Sequence, residues 1–358
     1  MVICVSGSSN NTESPHMDVG LGTFTADRHP DDDRPHSELY RETLDLAQVA
    51  EQHDFDCVWV SEHHFTDGGY NPSVTSLLAA LAAATDEIEI GSNVALGPMY
   101  KQPVRLAEDL AVIDNIADGR LTFGVANGYR VEEFDVMDVP LEERPLRLHH
   151  LVKILRKAWR DEPLVHEGHE RLDEAWEFDG VNVTPKPKQD GGPDIVLGGF
   201  AEPAVERAAR IGDGYSVGAL TGLEMAENCV DVYWNAVDEA GKSRDDQQLV
   251  LWNCGFLHDE KDPAEVVGKH WQQFKDQYGD WYYEAGQIDD PRALHDAYDA
   301  NAMFYSDPDE MVAKIEEYKE LFGEDMHFIY QAAFPSLDYE DFKYSVELFG
   351  QEVIPEIT

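Results

Sequence analysis

The chain has 358 residues, of which 42% are hydrophobic and 10% aromatic, and this composition supports a sizeable core and excludes a disordered chain. It carries 72 Asp and Glu against 27 Lys and Arg, for a formal net charge of −45. Nucleic acid and anionic membranes are therefore excluded as expected partners, because both require a basic surface.

The acidic residues are interspersed with apolar ones, as in the run AKIEEYKELFGED, so they predict a hydrated acidic surface on a folded protein. Like charges at this density repel one another and destabilise the compact state unless salt screens them. We therefore interpret the chain as a halophilic cytoplasmic protein; the alternative is an ordinary acidic cytosolic protein. The four cysteines show no C-x-x-C spacing, which favours inert thiols and predicts no metal site.

The first 16 residues, MVICVSGSSNNTESPH, lack the basic start and the long apolar run of a secretion signal. We expect residues 1–16 to be a flexible extension and residues 17–358 to form a single domain. No run of the sequence approaches the length that spans a membrane.

Strand-like and helix-like runs alternate from residue 17 onward. Short apolar runs predict strands at 17–24, 56–61, 88–96, 120–126, 194–200, 214–219, 248–258 and 326–334. Helical periodicity predicts helices at 37–53, 72–84, 103–117, 144–159, 203–211, 223–240, 309–322 and 339–350. We expect Ser37 to cap the first helix and Pro72 to lie in the first turn of the second.

Two segments interrupt this alternation. A polar stretch with Gly and Pro, residues 163–193, predicts a hairpin excursion after the fourth helix. An insertion rich in Trp and Tyr, about residues 258–300, follows the seventh strand. Eight strand-like runs, each followed by a helix, predict an α/β fold of the (β/α)8 TIM-barrel type. An open, doubly wound sheet is the alternative, but no strand is followed by a Gly-x-Gly-x-x-Gly turn.

Catalytic residues of such barrels lie at the carboxyl ends of the strands, where this chain places Glu62, His63 and His64 after the second strand. Adjacent side chains after a strand point to opposite sides, so the two histidines do not predict a metal site. A general base or an orienting donor fits a histidine better, since it titrates near working pH. The alternative is that one histidine only bonds a carbonyl at the strand end.

Other strand ends carry polar or glycine-rich runs. Asn93 lies near the end of the third strand, Asn127 ends the fourth, and Gly198-Gly199 end the fifth, directly before a helix start whose free amides suit a phosphate. An ordinary tight turn is the alternative there. Arg144 opens the helix after the fourth strand and suits an anion, although such arginines also pair with nearby glutamates.

Several runs, in order along the chain, resemble the bacterial luciferase-like flavin-dependent monooxygenases. They are FDCVWVSEHHF, GSNVALGPMYKQPVRLAEDLAVIDNIADGRLTFGVANGY, VNVTPKPKQ, VLGGFAEPAVERAARIGDGY and SDPDEMVAKIEEY. The resemblance covers the chain from about residue 17, and residues 55–128 are its most specific block. It implies a (β/α)8 barrel that binds a flavin in its mouth, usually FMN that a separate reductase supplies in reduced form.

The resemblance also implies roles for individual residues. His63 corresponds to the family's catalytic histidine beside the flavin ring, and Glu62 is similar to the carboxylate near that ring. Asn93 and Val94 align with a pair that, in this family, a non-prolyl cis peptide joins under the flavin.

The phosphate end departs from the family pattern. An arginine is often found where this chain has Asn127, and a serine where it has Phe200-Ala201. Arg144 resembles a second family arginine, so the resemblance implies a phosphate held by Arg144 and by the backbone amides of Ala201 and Glu202.

The resemblance therefore predicts a monooxygenase that uses reduced FMN and O2 to oxidise a small organic substrate, with residues 258–300 as its lid. The family's usual homodimer is expected. A deazaflavin coenzyme and a dehydrogenase or reductase activity form one alternative, because some branches of the family use that coenzyme. A non-catalytic flavoprotein or partner subunit is the other, since two phosphate-binding side chains are replaced.

Overall fold

The computed structural model describes residues 17–172 and 176–358, so the extension expected at residues 1–16 lies outside the described part of the chain. Eight parallel strands form the centre of the fold. In chain order they are β1 (Val19–Phe24), β2 (Cys57–Val60), β3 (Glu89–Ser92), β4 (Leu121–Ala126), β5 (Asp194–Gly198), β6 (Gly214–Gly218), β7 (Gln248–Leu257) and β8 (His327–Gln331).

The eight strands close into a barrel, because each pairs in parallel with its neighbours in chain order and the last pairs with the first. Val19 of β1 lies beside Phe328 of β8, and Val250 of β7 lies beside Ser216 of β6. The predicted (β/α)8 TIM barrel is thereby confirmed, and the open doubly wound sheet is wrong. The carboxyl ends of all eight strands therefore meet at one mouth.

Helices surround the barrel and bury their apolar faces against the strands in one large hydrophobic core. In chain order they are α1 (His36–Gln52), α2 (Val74–Ala84), α3 (Pro103–Ile116), α4 (Val131–Val136), α5 (Arg144–Ala158), α6 (Glu202–Ile211), α7 (Leu223–Glu239), α8 (Pro263–Glu284), α9 (His295–Asn301), α10 (Pro308–Phe322), α11 (Tyr339–Glu352) and α12 (Ile354–Ile357). Within residues 17–172 and 176–358, no helix combines the length and apolar character needed to cross a bilayer.

Trp59 fills the interior of the barrel below the mouth. The neighbouring strands leave room for it with glycines, since a Cβ atom would lie 2.4 Å from the Trp59 indole at Gly20 and 2.5 Å from it at Gly91. The indole Nε1 donates a hydrogen bond of 3.0 Å to His327 Nε2. Burial lowers the pKa of His327 to about 3, so its imidazole stays neutral and accepts this bond.

The first two helices begin differently from prediction. Pro35, in an extended conformation, occupies the position before α1, so Ser37 lies within the first turn and its predicted role as N-cap is wrong. Ser73 precedes α2, and Pro72 therefore lies before the helix and not in its first turn. Proline fixes its own backbone dihedral at the entrance of α1, which lets the helix start one residue earlier.

Both predicted interruptions of the alternation are present. The hairpin is confirmed, since Leu164–His166 pairs antiparallel with Phe178–Val181. The predicted insertion after β7 is also present, and it is mostly helical, since it contains α8 and α9. Asp262 caps α8 by accepting a hydrogen bond of 3.0 Å from the Ala264 amide, and Pro263 occupies the first helical position.

Four histidines meet where the hairpin packs on α5. His150 Nδ1 and His166 Nε2 lie 2.8 Å apart, and the rings of His149 and His169 lie 5.6 Å and 5.3 Å from that of His150. Burial, together with nearby positive charge, lowers the pKa of both His150 and His166 to about 4. Both rings are therefore neutral in the folded protein near neutral pH.

We expect this cluster to make the fold sensitive to acid. The unfolded chain binds protons on these histidines near pH 6.5, before the folded chain does, so their contribution to stability is present above that pH. The contribution of these two histidines to the free energy of unfolding falls as the pH drops towards about 4. Replacing His150 and His166 together with Gln should flatten the fall in unfolding free energy between pH 6.5 and 4, as measured by urea denaturation. An unchanged slope would contradict the assignment.

Candidate active site

The triplet that follows β2 is buried at the mouth, with Glu62 4%, His63 6% and His64 8% exposed. Glu62 and His64 point to the same side, where His64 Nε2 donates to Glu62 Oε1 over 3.1 Å. His63 points elsewhere and donates from Nδ1 to Glu133 over 2.9 Å. The two histidines thus have different partners, and across the described residues no cluster suited to a metal ion is found.

Glu62 ties the end of β2 to the segment that follows β3. Its Oε2 accepts a 2.7 Å hydrogen bond from the Leu96 amide, and the Tyr100 hydroxyl lies 3.3 Å from both oxygens. His64 supplies a further donor. Because these donors surround the carboxylate, Glu62 is held rigidly at the mouth.

Glu133 holds the His63 ring. Its Oε1 also accepts from the His64 amide over 2.9 Å and lies 3.4 Å from the Arg130 guanidinium. Burial alone raises the pKa of the Glu133 carboxyl, but the hydrogen bonds and charges of these partners outweigh it, so that pKa lies below its usual value. A carboxylate only accepts, so His63 carries its proton on Nδ1 and presents Nε2 as the second ring nitrogen.

Aromatic rings surround His63. The centroid of Trp281 lies 4.5 Å from that of His63, and Tyr70, Tyr129 and Tyr278 lie at 5.0, 5.8 and 6.1 Å. Trp281 and Tyr278 both belong to α8, so the second half of this helix covers the histidine. The backbone of α8 is non-helical at Gly268, where the helix kinks.

The aromatic side chains of residues 258–300, which the sequence predicts as a lid, divide into two groups. Tyr282 stacks on Tyr129 at 4.9 Å and joins the residues over the mouth. Trp271 and Phe274 stack on each other at 5.3 Å and belong to the main core. Tyr283 is 51% exposed. The segment therefore both packs on the core and covers the strand ends.

The segment after β3 also lies at the carboxyl ends of the strands. The Asn93–Val94 peptide bond is cis, as the family resemblance implies. Asn93 Oδ1 accepts a 2.7 Å hydrogen bond from Ser216 Oγ across the barrel. A Cβ atom at Gly198 would lie 3.3 Å from Val94 and 3.7 Å from Ala126, so the glycine leaves a shallow cradle there.

The residues predicted for a phosphate lie at two helix starts. Arg144 begins α5, is half-buried, and forms no side-chain hydrogen bond or ion pair with any residue that the structure describes. α6 begins at Glu202 after Ala201, whose methyl side chain cannot cap the helix. Gly199 adopts a φ of 154°, a region that favours glycine. In the described chain, the buried Asn127 Oδ1 has no hydrogen-bond partner.

A surface cleft of about 520 Å³ adjoins this turn, between the starts of α6 and α7. Its lining includes Phe200, Met225 and Cys229 together with the carboxylates of Glu202 and Glu224. No Lys or Arg is among its described lining residues. The cleft is therefore acidic and apolar, although it lies close to the residues predicted to hold an anion.

The sequence does not predict Arg130 and Glu133 as site residues. A nearby glutamate does pair with an arginine of α5, since Arg147 lies 2.8 Å from Glu143. The six residues of α4 are too few for a clear helical period, so the sequence held no signal that aims Glu133 at His63.

Comparison with known proteins places these features in a family. The model of the family described as luciferase-like monooxygenase matches residues 19–325. The oxygenase component of the flavin-dependent trigonelline monooxygenase of Acinetobacter baylyi is 23% identical over 340 residues, 90% of this chain and 91% of that protein. The F420-dependent glucose-6-phosphate dehydrogenase of Microbacterium testaceum is 25% identical over 336 residues, 88% of this chain and 93% of its own.

Among solved structures, the oxygenating constituent of 3,6-diketocamphane monooxygenase from Pseudomonas putida, in complex with FMN, superimposes with a TM-score of 0.74. The match has 23% identity and covers 96% of this chain and 99% of that one. At this identity the likeness shows the shared fold. Since the family model spans most of the sequence, the chain belongs to the luciferase-like monooxygenase family of oxidoreductases.

Proposed function

We propose that the protein is an FMN-dependent monooxygenase that oxidises a small organic substrate with O2. The observation that carries this proposal is the buried His63, which Glu133 orients on one side and Trp281 covers on the other. A histidine that is held in one tautomer, at a site from which water is excluded, suits general acid–base catalysis. Reduced FMN, when bound, would supply the electrons that activate O2.

The residues at the mouth fit such a flavin in three respects. The cradle at Gly198, beside Val94 and Ala126, lies where a side chain would otherwise project, which leaves the backbone there open to a ligand. Asn127 Oδ1 is a buried polar atom without a hydrogen-bond partner within the described chain, and a ligand would satisfy it. Arg144 and the start of α6 offer a cation and backbone amides to a phosphate. We propose that Asn93, Val94 and Gly199 complete this cradle.

The chain's own residues would act as follows. His63 Nε2 would hold or accept a proton, while Glu133 keeps Nδ1 protonated. Glu62, held by Leu96 and Tyr100, would keep the segment that supports the ring in place. The half of α8 beyond its kink at Gly268 would open to admit substrate and then close to exclude water.

A deazaflavin-dependent dehydrogenase or reductase is the second candidate, because relatives such as the F420-dependent glucose-6-phosphate dehydrogenase align over most of the chain. The acidic cleft beside α6 disfavours an additional anionic group that enters it, such as the glutamyl tail of a deazaflavin coenzyme, because Glu202 and Glu224 line it without a Lys or Arg among the described lining residues. Titration of the purified chain with each coenzyme, followed by flavin fluorescence, distinguishes the two.

The proposed reaction implies two further partners. A separate flavin reductase would supply reduced FMN, by analogy with the trigonelline enzyme, whose similar chain is named as an oxygenase component. We also expect a homodimer. Sedimentation of the purified chain with and without a reductase would test both expectations.

Arg144 provides a direct test of the phosphate end. Replacing Arg144 with Ala should weaken FMN binding by about 10–100-fold, because a charge-assisted hydrogen bond contributes roughly 1.5–3 kcal/mol. Riboflavin, which has no phosphate, should bind both proteins equally. The matched control is Arg105→Ala on α3, which removes an exposed arginine that pairs with Asp109. Equal loss of riboflavin and FMN binding would contradict a phosphate contact.

A further inference from the structure

Asp27 is a buried carboxylate at the mouth that the proposed chemistry does not use. It lies just after β1 and is 3% exposed. Its Oδ1 accepts a 3.1 Å hydrogen bond from the Arg28 amide, and its own amide donates to Thr25 Oγ1 over 3.2 Å. A Cβ atom at Gly68 would lie 2.0 Å from Oδ1, so the chain packs closely against this carboxyl. The side chain is therefore fixed in position.

Two buried acceptor atoms lack close hydrogen-bond donors in the described part of the chain, one on the Asp27 carboxyl and one on the neighbouring Gln331. Asp27 Oδ2 and Gln331 Oε1 are both buried and have no close hydrogen-bond partner within the described residues, although the Gln277 side chain lies near enough to the Asp27 carboxyl to lower its pKa against the larger effect of burial. Gln331 uses its amide group elsewhere, donating towards the Ala333 carbonyl over 3.3 Å. Both residues line one cavity of about 10 Å³, which has room for a single water-sized group. The group that fits there must donate hydrogen bonds, since both free atoms accept.

The remaining wall of this cavity is aromatic. Tyr70, Phe274 and Tyr278 line it, with Phe274 and Tyr278 at a centroid distance of 4.6 Å. The hydroxyls of Tyr70 and Tyr278 bond to each other over 3.0 Å, which leaves their ring surfaces as the main contacts of the wall. Aromatic faces beside a buried carboxylate attract a cation.

The electrostatics of the cavity favour a positive ligand. Burial raises the pKa of the Asp27 carboxyl, against the opposing effects of Gln277, the Arg28 amide, His63 and His36. A buried carboxyl without a paired cation is costly to ionise, and a bound cation would remove that cost. Tyr70 and Tyr278 also contact the His63 ring, so the same two tyrosines border both this cavity and the proposed catalytic residue.

We propose that Asp27 and Gln331 form a substrate subsite that binds a protonated amine. This inference rests on the proposed function and names its substrate class: a small organic amine whose ammonium group enters the cavity and whose body extends towards His63. The competing explanation is structural, with a water molecule between the two acceptors and Gln277 joining α8 to the β1 loop.

The probes that separate these explanations are benzylamine and its uncharged analogue benzyl alcohol. Binding of each to the full chain is measured by calorimetry in molar salt, with and without FMN. Benzylamine should bind at least tenfold more tightly than benzyl alcohol. Asp27→Asn, which keeps the shape of the side chain, should abolish that preference. The control Asp33→Asn removes an exposed carboxylate from the same loop and should retain it.

A pH series adds a second readout that a structural role would not move. Benzylamine affinity should rise with pH as Asp27 ionises, and this rise should be absent in Asp27→Asn. Absence of any amine preference in the unaltered protein, or its persistence in Asp27→Asn, would overturn the proposal. Flavin titration of the same samples tests the proposed FMN site. The amine preference is also measured without flavin, so failure of the FMN site and failure of the amine subsite can be told apart.

Discussion

Replacing His63 with Asn is expected to lower turnover by roughly 10²–10⁴-fold, the range for loss of a positioned general acid or base. Asparagine still reaches Glu133 with its amide group, so the local hydrogen bond and the packing under Trp281 are largely preserved. FMN binding, measured by fluorescence titration, should change little. The expected loss is therefore in the rate of substrate oxidation, with O2 consumption and product formation measured together.

The control for this substitution is His53→Asn, at the end of α1 and outside the mouth. It should leave both turnover and FMN affinity unchanged. If His63→Asn retained full turnover, His63 would be a packing residue, as the strand-end alternative holds. If it lost FMN binding to the same extent as turnover, its role would be to support the flavin and not to move a proton.

Replacing Glu133 with Gln should reduce kcat by about 10–100-fold, which is the range found when carboxylates that orient metal-binding histidines are lost. Glutamine can present either its oxygen or its amide group to His63 Nδ1, so the ring loses its enforced tautomer. The KM for substrate should stay nearly constant, because Glu133 lies behind the histidine. That split between kcat and KM distinguishes positioning of His63 from a general disturbance of the site.

The substitution also removes the buried one of the two charge partners of Arg130, which keeps its ion pair with Glu132. Breaking a buried ion pair typically costs about 3–5 kcal/mol, so the unfolding temperature should fall. Kinetics are therefore measured well below the new unfolding midpoint. Glu132→Gln is the matched control, since Glu132 pairs with Arg130 on the same helix but is 54% exposed. Equal kinetic loss in both variants would argue against a specific contact to His63.

The barrel was predictable because each strand–helix unit carries its own local signal. The buried run before Glu62 and the alternation of eight such units were enough to position the triplet at the mouth. The hairpin after the fourth predicted helix followed from its Gly and Pro content. The cis peptide at Asn93–Val94 came from the family resemblance, since nothing in local propensity distinguishes that bond.

The contacts within the site were less accessible from the sequence. Glu133 reaches His63 across 70 positions of the chain, and only the closed barrel brings them together. Asp27 and Gln331 lie at opposite ends of the sequence and share a cavity because β1 pairs with β8. The helices predicted from the sequence do not include α8, although Asp262 and Pro263 mark its start.

The proposed function requires that reduced FMN bound at this mouth reacts productively with O2. One measurement tests this requirement most directly. The purified chain in molar salt is mixed anaerobically with reduced FMN or with a reduced deazaflavin coenzyme, and a panel of small amines and ketones is added. O2 is then admitted while its consumption and oxygenated product are quantified. We predict product formation coupled to O2 uptake with reduced FMN. Substrate turnover without O2, and only with the deazaflavin coenzyme, would contradict the assignment.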